Sequence, residues 1–175
     1  IEGVQSEVDA VVANVIEHAT LHSDETLMVV SASAVTSSRI QEAIQAILPA
    51  NRTLQDFFGR HDDEPFIVVT LNQASAITRD RVIFSVGFGR SPHGRVLSDL
   101  GALSSANGPR LVAVAMTRAT HHLTVVSCLT TAELREARMS DGARALGEFI
   151  DDTLAHVSPP TAHHPLLDDL GRRLE

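Results

Sequence analysis

Four short apolar segments, separated by stretches with helical periodicity, constrain the fold of this 175-residue chain more than any other feature. They lie at 25–31, 66–71, 81–86 and 121–128, and each is continuously apolar at its centre. Strands of this kind are typical of parallel sheets, because helices cover both faces of such sheets. We therefore predict an α/β fold in three layers, with a mostly parallel sheet and helices on both faces.

The segments between these strands predict the helices. Ser37 or Ser38 is expected to cap the second helix, and Pro49 is expected to end it. A polar stretch at 51–64 is predicted to be irregular apart from a short turn, and 87–109 is predicted to be a long, functional loop. The predicted helices span 4–22, 40–48 and 110–119, and shorter ones follow Thr130 or Thr131 and Ser140 or Asp141.

The length of the chain and a proline-containing stretch near its end indicate one domain followed by the start of another segment. Residues 1–157 are predicted to form the domain. Residues 158–165, which include Pro159 and Pro160, are predicted to be a linker, and 166–175 restart an amphipathic helix. No apolar stretch is long enough to span a membrane, and no signal peptide is visible. We expect a piece of a longer cytoplasmic protein that has no membrane partner.

All 14 basic residues of the chain are Arg, and there is no Lys. A P-loop, a protein kinase and Schiff-base chemistry each require a Lys, so the chain acting alone performs none of them. The net charge of −8 also argues against binding nucleic acid through bulk charge, so any such contact must be local or shared with other domains. The single Cys128 excludes a disulfide framework and is expected to be a buried, inert thiol.

Nine His residues raise the question of a metal site. His121 and His122 are adjacent on a predicted strand, so their side chains are expected to point to opposite faces. His163 and His164 have no Cys or spaced carboxylates beside them. We therefore predict no metal site. The sequence also lacks a G-x-S-x-G elbow and a G-x-G-x-x-G turn, which disfavours a serine hydrolase and a Rossmann-like binder.

Four motifs follow one another between Asp80 and Ser127. They are DRVIFSVGFG on a strand, LGAL in the loop, RLVAVAMTRA on a helix and a strand ending in VVS. Their order and spacing resemble the second RecA-like domain of superfamily 1 helicases. The branch concerned includes the nonsense-decay RNA helicases and their bacterial relatives. The resemblance covers roughly 4–128 and is most specific over 79–127.

The resemblance implies an ATP site shared between two domains. In this family the first RecA-like domain carries the P-loop Lys and the Mg²⁺ ligands, and the second supplies an arginine finger from a T-R-A motif. That motif falls on Thr117, Arg118 and Ala119, so Arg118 is the implied catalytic residue and Thr117 an implied nucleotide contact. ATP and Mg²⁺ would bind jointly with the missing P-loop domain, and the fragment alone would be inactive. The alternative for Arg118 is an ordinary helix-terminal Arg that binds a carboxylate or the last carbonyls.

The segment before Asp80 departs from the family pattern. A Q-G-x-E motif is expected there, but its defining positions hold Ser75, Ala76 and Thr78. Loss of the Glu removes an acceptor for a ribose hydroxyl, and Ala in place of Gly disfavours a positive φ. Ser75, Thr78 and Arg79 remain the predicted nucleotide contacts in this segment. The departure favours an alternative function, a degenerate, non-catalytic helicase-like module for assembly or partner binding.

Polar residues that follow two predicted strands are candidate nucleic-acid contacts. Small hydroxyl and amide side chains can bind phosphates without a basic patch. The loop GRSPHGR adds the one local basic cluster ahead of the C-terminal region. The alternatives are capping and turn chemistry for the strand ends, and a solvated face for the loop. The predicted DNA or RNA contacts are Ser33, Thr70, Asn72, Gln73, Arg90 and Arg95.

Overall fold

A four-stranded parallel sheet forms the centre of the structure, a computed structural model that describes residues 1–156. The strands lie in the order β2-β1-β3-β4, and every neighbouring pair is parallel. Each strand bound lies within two residues of its prediction, so the predicted α/β fold with a parallel sheet is confirmed. The strands are β1 (Leu27–Ser31), β2 (Ile67–Thr70), β3 (Arg79–Ser85) and β4 (Ala119–Val126).

Six helices within residues 1–156 cover the two faces of the sheet. Val29 and Ile83 point into one apolar core, and Met28 and Phe84 point into the other. This alternation places an apolar layer on each side of β1 and β3. The predicted three-layer arrangement is therefore confirmed. One core packs against α1 (Gln5–Leu21), α2 (Ala34–Ile47) and α3 (Arg52–Phe58), and the other against α4 (Gly108–Met116), α5 (Thr131–Leu134) and α6 (Asp141–His156).

The start of α2 differs from its prediction. The helix is capped by Ser33, whose hydroxyl oxygen accepts a hydrogen bond from the backbone nitrogen of Thr36 at 3.1 Å. Ser37 and Ser38 lie inside the helix, so their prediction as caps is wrong. Pro49 follows the helix in a 3₁₀ turn, as expected for a residue without a backbone N–H.

The segment predicted to be mostly irregular contains the regular helix α3. Asn51 caps it by accepting a hydrogen bond from the backbone nitrogen of Leu54 at 3.1 Å. Leu54 and Phe57 are buried in the core beneath. The Asn51 cap and the burial of Leu54 and Phe57 stabilise this helix, although the stretch is polar on average.

The last two helices are capped by one of the two residues proposed for each. Thr130 forms a capping box with Glu133, and the Ser140 hydroxyl accepts from the backbone nitrogen of Ala143 at 3.3 Å. Helix α5 ends at Leu134, whereas the sequence predicts a helix to about Arg138, and Cys128 is half-buried rather than buried. The predicted linker at 158–165 and the segment at 166–175 lie outside the described residues.

The long loop between β3 and α4 is packed against the core. Val96, Leu100 and Leu103 are buried, and a 3₁₀ turn forms over Gly101–Ser104. The Arg138 guanidinium donates to the Val96 carbonyl at 2.7 Å and fixes the middle of the loop. No helix within residues 1–156 combines the length and the apolar character needed to span a membrane.

Candidate functional site

The parallel sheet separates the predicted residues into two groups at opposite edges. A strand of seven residues such as β3 is about 23 Å long, at roughly 3.3 Å per residue, so the two edges are well apart. The predicted nucleotide contacts lie at the amino ends of β3 and β4 or on the connection leading to β3. The predicted nucleic-acid contacts lie at or after the carboxyl ends of β1, β2 and β3. We call these the amino edge and the carboxyl edge.

Arg118 lies at the amino edge, between the end of α4 and the start of β4. Its guanidinium donates three hydrogen bonds: from Nε to the Val114 carbonyl at 3.0 Å, from Nη1 to the Ser75 carbonyl at 3.1 Å and from Nη2 to the Thr117 hydroxyl at 3.1 Å. Its own carbonyl accepts from the Arg79 backbone nitrogen at 3.1 Å. The side chain is therefore held in one position by neutral oxygens, and two of them belong to predicted nucleotide contacts.

Thr117 and Val114 show how the end of α4 fixes Arg118. Thr117 is the C-cap of the helix, and its exposed hydroxyl donates to the Val114 carbonyl at 2.9 Å. Arg118 binds the same carbonyl, which is the helix-terminal contact of the alternative interpretation. Ser75 and Thr78 expose their side chains near this point. The structure thus brings Ser75, Thr117 and Arg118 together.

Arg79 is turned inward. Only 9% of its surface is exposed, and its Nη1 and Nη2 donate to the carbonyls of Thr78 at 2.7 Å and Pro65 at 3.1 Å. Its Nε is buried and has no partner among the described atoms. A guanidinium bound in this way links the start of β3 to the segment before β2. Contact of Arg79 with nucleotide stays a prediction, and it would require the guanidinium to leave these two carbonyls.

Two carboxylates stabilise the strand starts at the amino edge. Asp80 accepts hydrogen bonds from the backbone nitrogen of Thr26 at 2.9 Å and from the hydroxyls of Thr26 and Thr120, both at 3.1 Å. The Thr26 N–H bond is the main reason that the pKa of Asp80 is lowered. A hydrogen bond from Arg81 likewise lowers the pKa of Glu25. Asp80 opens the motif on β3, but its structural role could not be predicted from the sequence alone.

Ser33, Thr70 and Asn72 come together at the carboxyl edge, where they line one cavity of about 270 Å³. Gln73 is folded back, and its carbonyl oxygen accepts from the Thr70 nitrogen at 2.9 Å and hydroxyl at 2.8 Å. This is the turn chemistry of the alternative interpretation. The Glu2 side chain and Gly101 complete part of the lining. Three of the six predicted nucleic-acid contacts therefore share one surface.

The two predicted Arg contacts in the loop have different environments. Arg90 forms a two-pronged ion pair with Glu133, with both N–O distances at 2.7 Å. Glu133 also closes the capping box of α5, so this Arg is part of the local structure. Arg95 is exposed, and its backbone nitrogen donates to the Ser91 hydroxyl at 3.2 Å. Contact of either residue with nucleic acid stays a prediction.

Glu7 is a buried carboxylate that sequence reasoning missed. It lies in the first turn of α1, is 1% exposed, and accepts from the Ser85 hydroxyl at 2.7 Å and the backbone nitrogens of Gly87 at 2.6 Å and Cys128 at 3.3 Å. A signal was available, because Glu7 follows Val4 by three residues and precedes Val11 by four, on the apolar face of the helix. Within residues 1–156, no group of His, Cys, Asp or Glu could hold a metal ion.

Comparison with known proteins finds similar solved structures, two of which are described here. No protein-family model and no curated protein matches this chain. The C-terminal domain of a possible DNA helicase from Lactobacillus plantarum WCFS1 is 15% identical, with a TM-score of 0.46, over 83% of this chain and 76% of that chain. The C-terminal part of the Fun30 ATPase domain is 14% identical, with a TM-score of 0.41, over 86% and 54% of the two chains. Likeness at this level assigns no activity.

Proposed function

We propose that this chain is the second RecA-like domain of an ATP-dependent superfamily 1 helicase and that it supplies Arg118 to an ATP site completed by a P-loop domain. The observation that carries the proposal is the way Arg118 is held. Its three hydrogen bonds use one N–H on each guanidinium nitrogen. An Arg side chain has five N–H groups, so one N–H on each Nη is left for an incoming oxygen.

That arrangement suits the stabilisation of a transferring phosphoryl group. Negative charge spreads over the equatorial oxygens in such a transition state, and a fixed cation with unused N–H donors can bind those oxygens. Because the bonds to Val114, Ser75 and Thr117 fix the side chain beforehand, little ordering remains at the moment of reaction. None of these three partners is a carboxylate that would compete with the phosphoryl oxygens for the guanidinium.

The rest of the ATP site must come from another domain. The chain has no Lys, so it cannot provide the P-loop contact to the β- and γ-phosphates. ATP and Mg²⁺ are therefore proposed to bind jointly with a first RecA-like domain, with Ser75, Thr78 and Thr117 beside the nucleotide. The chain by itself is expected to show no ATP hydrolysis, and measurable turnover by the isolated chain would contradict the proposal.

The carboxyl edge is proposed to bind single-stranded DNA or RNA. Ser33, Thr70 and Asn72 place two hydroxyls and one amide in one cavity, and these groups can bind phosphate oxygens once the hydroxyls are released from Glu2 and Gln73. A local contact of this kind is compatible with the net charge of −8. In this proposal the nucleotide binds at the amino edge of the sheet and the nucleic acid binds at the carboxyl edge of the same sheet.

The test is ATP hydrolysis by the intact protein that joins this domain to a P-loop domain. Arg118→Ala is expected to lower kcat about a thousandfold, the lower end of the effect of an arginine finger. The matched control is Arg110→Ala, which removes an exposed Arg from the first half of the same helix and should leave kcat unchanged. If the Arg118 variant retains kcat within a few-fold, the finger assignment is wrong.

A second candidate function is a degenerate helicase-like module for assembly. The observation in its favour is the segment at Ser75, Ala76 and Thr78, which provides no carboxylate for a ribose hydroxyl. This candidate predicts that the intact protein does not hydrolyse ATP at any nucleic-acid concentration, and that Arg118→Ala leaves partner binding unchanged. Robust hydrolysis that depends on nucleic acid would exclude it.

A further inference from the structure

The carboxylate of Glu2 lies inside the cavity proposed to bind nucleic acid. Glu2 lines this cavity together with Ser33, Thr70 and Asn72. The Ser33 hydroxyl donates its single proton to Glu2 Oε2 at 2.6 Å. A hydroxyl has one O–H to give, so Ser33 cannot donate to a phosphate while it binds Glu2. The chain thus places one of its own anions where an anionic ligand would bind.

The segment that carries Glu2 has a defined place in the fold. Glu2 forms an antiparallel bridge with Phe88, and the Gly89 backbone nitrogen donates to the Ile1 carbonyl at 2.8 Å. The nitrogen of Gly3 donates to the Thr36 hydroxyl at 3.0 Å. Gly3 has a φ of +66°, a conformation that favours glycine. These contacts set the direction from which Glu2 enters the cavity.

A second carboxylate lies at the same edge of the sheet. Glu7 binds Ser85 and Gly87 at the end of β3, next to the end of β1. The order of the strands reverses between β1 and β3, which is where open parallel sheets bind ligands. Glu7 is buried and fully engaged, whereas the Glu2 side chain is exposed. Only Glu2 can therefore rotate away without disturbing the core.

We infer that Glu2 is an intramolecular competitor of nucleic acid at the Ser33 cavity, an inference that rests on the proposed nucleic-acid contact of that cavity. A phosphate must displace the Glu2 carboxylate to reach the Ser33 hydroxyl, and until then the carboxylate repels it. The contact weakens the binding of every ligand that uses the Ser33 hydroxyl.

The test measures binding of a fluorescein-labelled oligothymidylate and an oligouridylate to the chain by fluorescence anisotropy. Glu2→Gln removes the charge but keeps an oxygen that can accept from Ser33, so the segment should retain its place. This variant is expected to bind about fivefold more tightly at low salt, since one nearby like charge is removed. Glu2→Ala removes the acceptor as well and should bind at least as tightly. The gain should shrink at high salt, because salt screens the repulsion.

Two control variants separate the inference from the function on which it depends. Glu42→Gln changes the net charge equally, but Glu42 is eight residues after Ala34 on α2, about 12 Å along the helix axis, and should have little effect. Asn72→Ala should weaken binding. Equal affinities of the Glu2 and Glu42 variants, with Asn72→Ala still weaker, would overturn the inference and leave the proposed function intact. Absence of binding by both the wild-type chain and the Glu2 variants would overturn both.

Discussion

Glu7 provides the sharpest test of how the domain holds its carboxyl edge together. Glu7→Ala removes a carboxylate that is 1% exposed. Three hydrogen-bond donors then lose their acceptor: the Ser85 hydroxyl and the backbone nitrogens of Gly87 and Cys128. A hydrogen bond to a charged group contributes about 1.5–3 kcal/mol, and an unsatisfied buried donor costs about 1–3 kcal/mol. Because the three bonds share one carboxylate and their contributions are not additive, we expect a loss of about 4 kcal/mol in the free energy of unfolding.

The assay is urea denaturation followed by far-UV circular dichroism. The midpoint should fall while the m-value stays the same, because the surface exposed on unfolding does not change. Glu7→Gln should lose about half as much, since its amide oxygen still accepts but its NH₂ group faces a donor. Glu17→Ala is the matched control, an exposed Glu on the same helix, and should change stability by less than about 0.5 kcal/mol. A loss below about 1 kcal/mol for Glu7→Ala would refute the reasoning.

Two further predictions concern the amino edge. The folded-state pKa of Asp80 is lowered, so its contribution to stability is present above its unfolded pKa of about 3.9 and is lost as pH falls through the lower folded value. The free energy of unfolding of Asp80→Asn should therefore fall less steeply than that of the wild type as the pH is lowered. An unchanged pH dependence would contradict this role. Arg79→Met should keep stability within about 1 kcal/mol of wild type or raise it, because it removes a buried cation that binds only carbonyls in the described structure. A urea midpoint that corresponds to a larger loss would show that those bonds outweigh the cost of burial.

The fold could be predicted from the sequence because its signals are local. Continuous apolar runs gave the four strands, and residues such as Val29 and Met28 alternate between two cores as such runs require. One error concerns the start of α2, where Ser33, Ser37 and Ser38 are equally good caps by residue type. Which of these three Ser residues caps α2 depends on the path that the chain takes after β1. The order of the strands likewise depends on long-range packing.

The candidate site could be predicted only in part, because side-chain direction decides what a residue can bind. Arg79 and Arg118 have the same chemistry, but one is buried against Pro65 and the other is held at the surface beside Ser75. The ion pair of Arg90 with Glu133 joins residues 43 positions apart, which no local pattern in the sequence indicates. Glu2 and Ser33 are far apart in sequence, and no local pattern indicates that they meet.

The central claim is that Arg118 stabilises the transferring phosphoryl group rather than the bound nucleotide. The most direct measurement is the affinity of the intact protein for ADP with aluminium fluoride, which imitates the transition state, compared with its affinity for ADP. Arg118→Ala should weaken binding of the transition-state analogue by about the same factor as it lowers kcat, and change the Kd of ADP by less than about threefold. Equal losses for both ligands, or no loss for the analogue, would contradict the account.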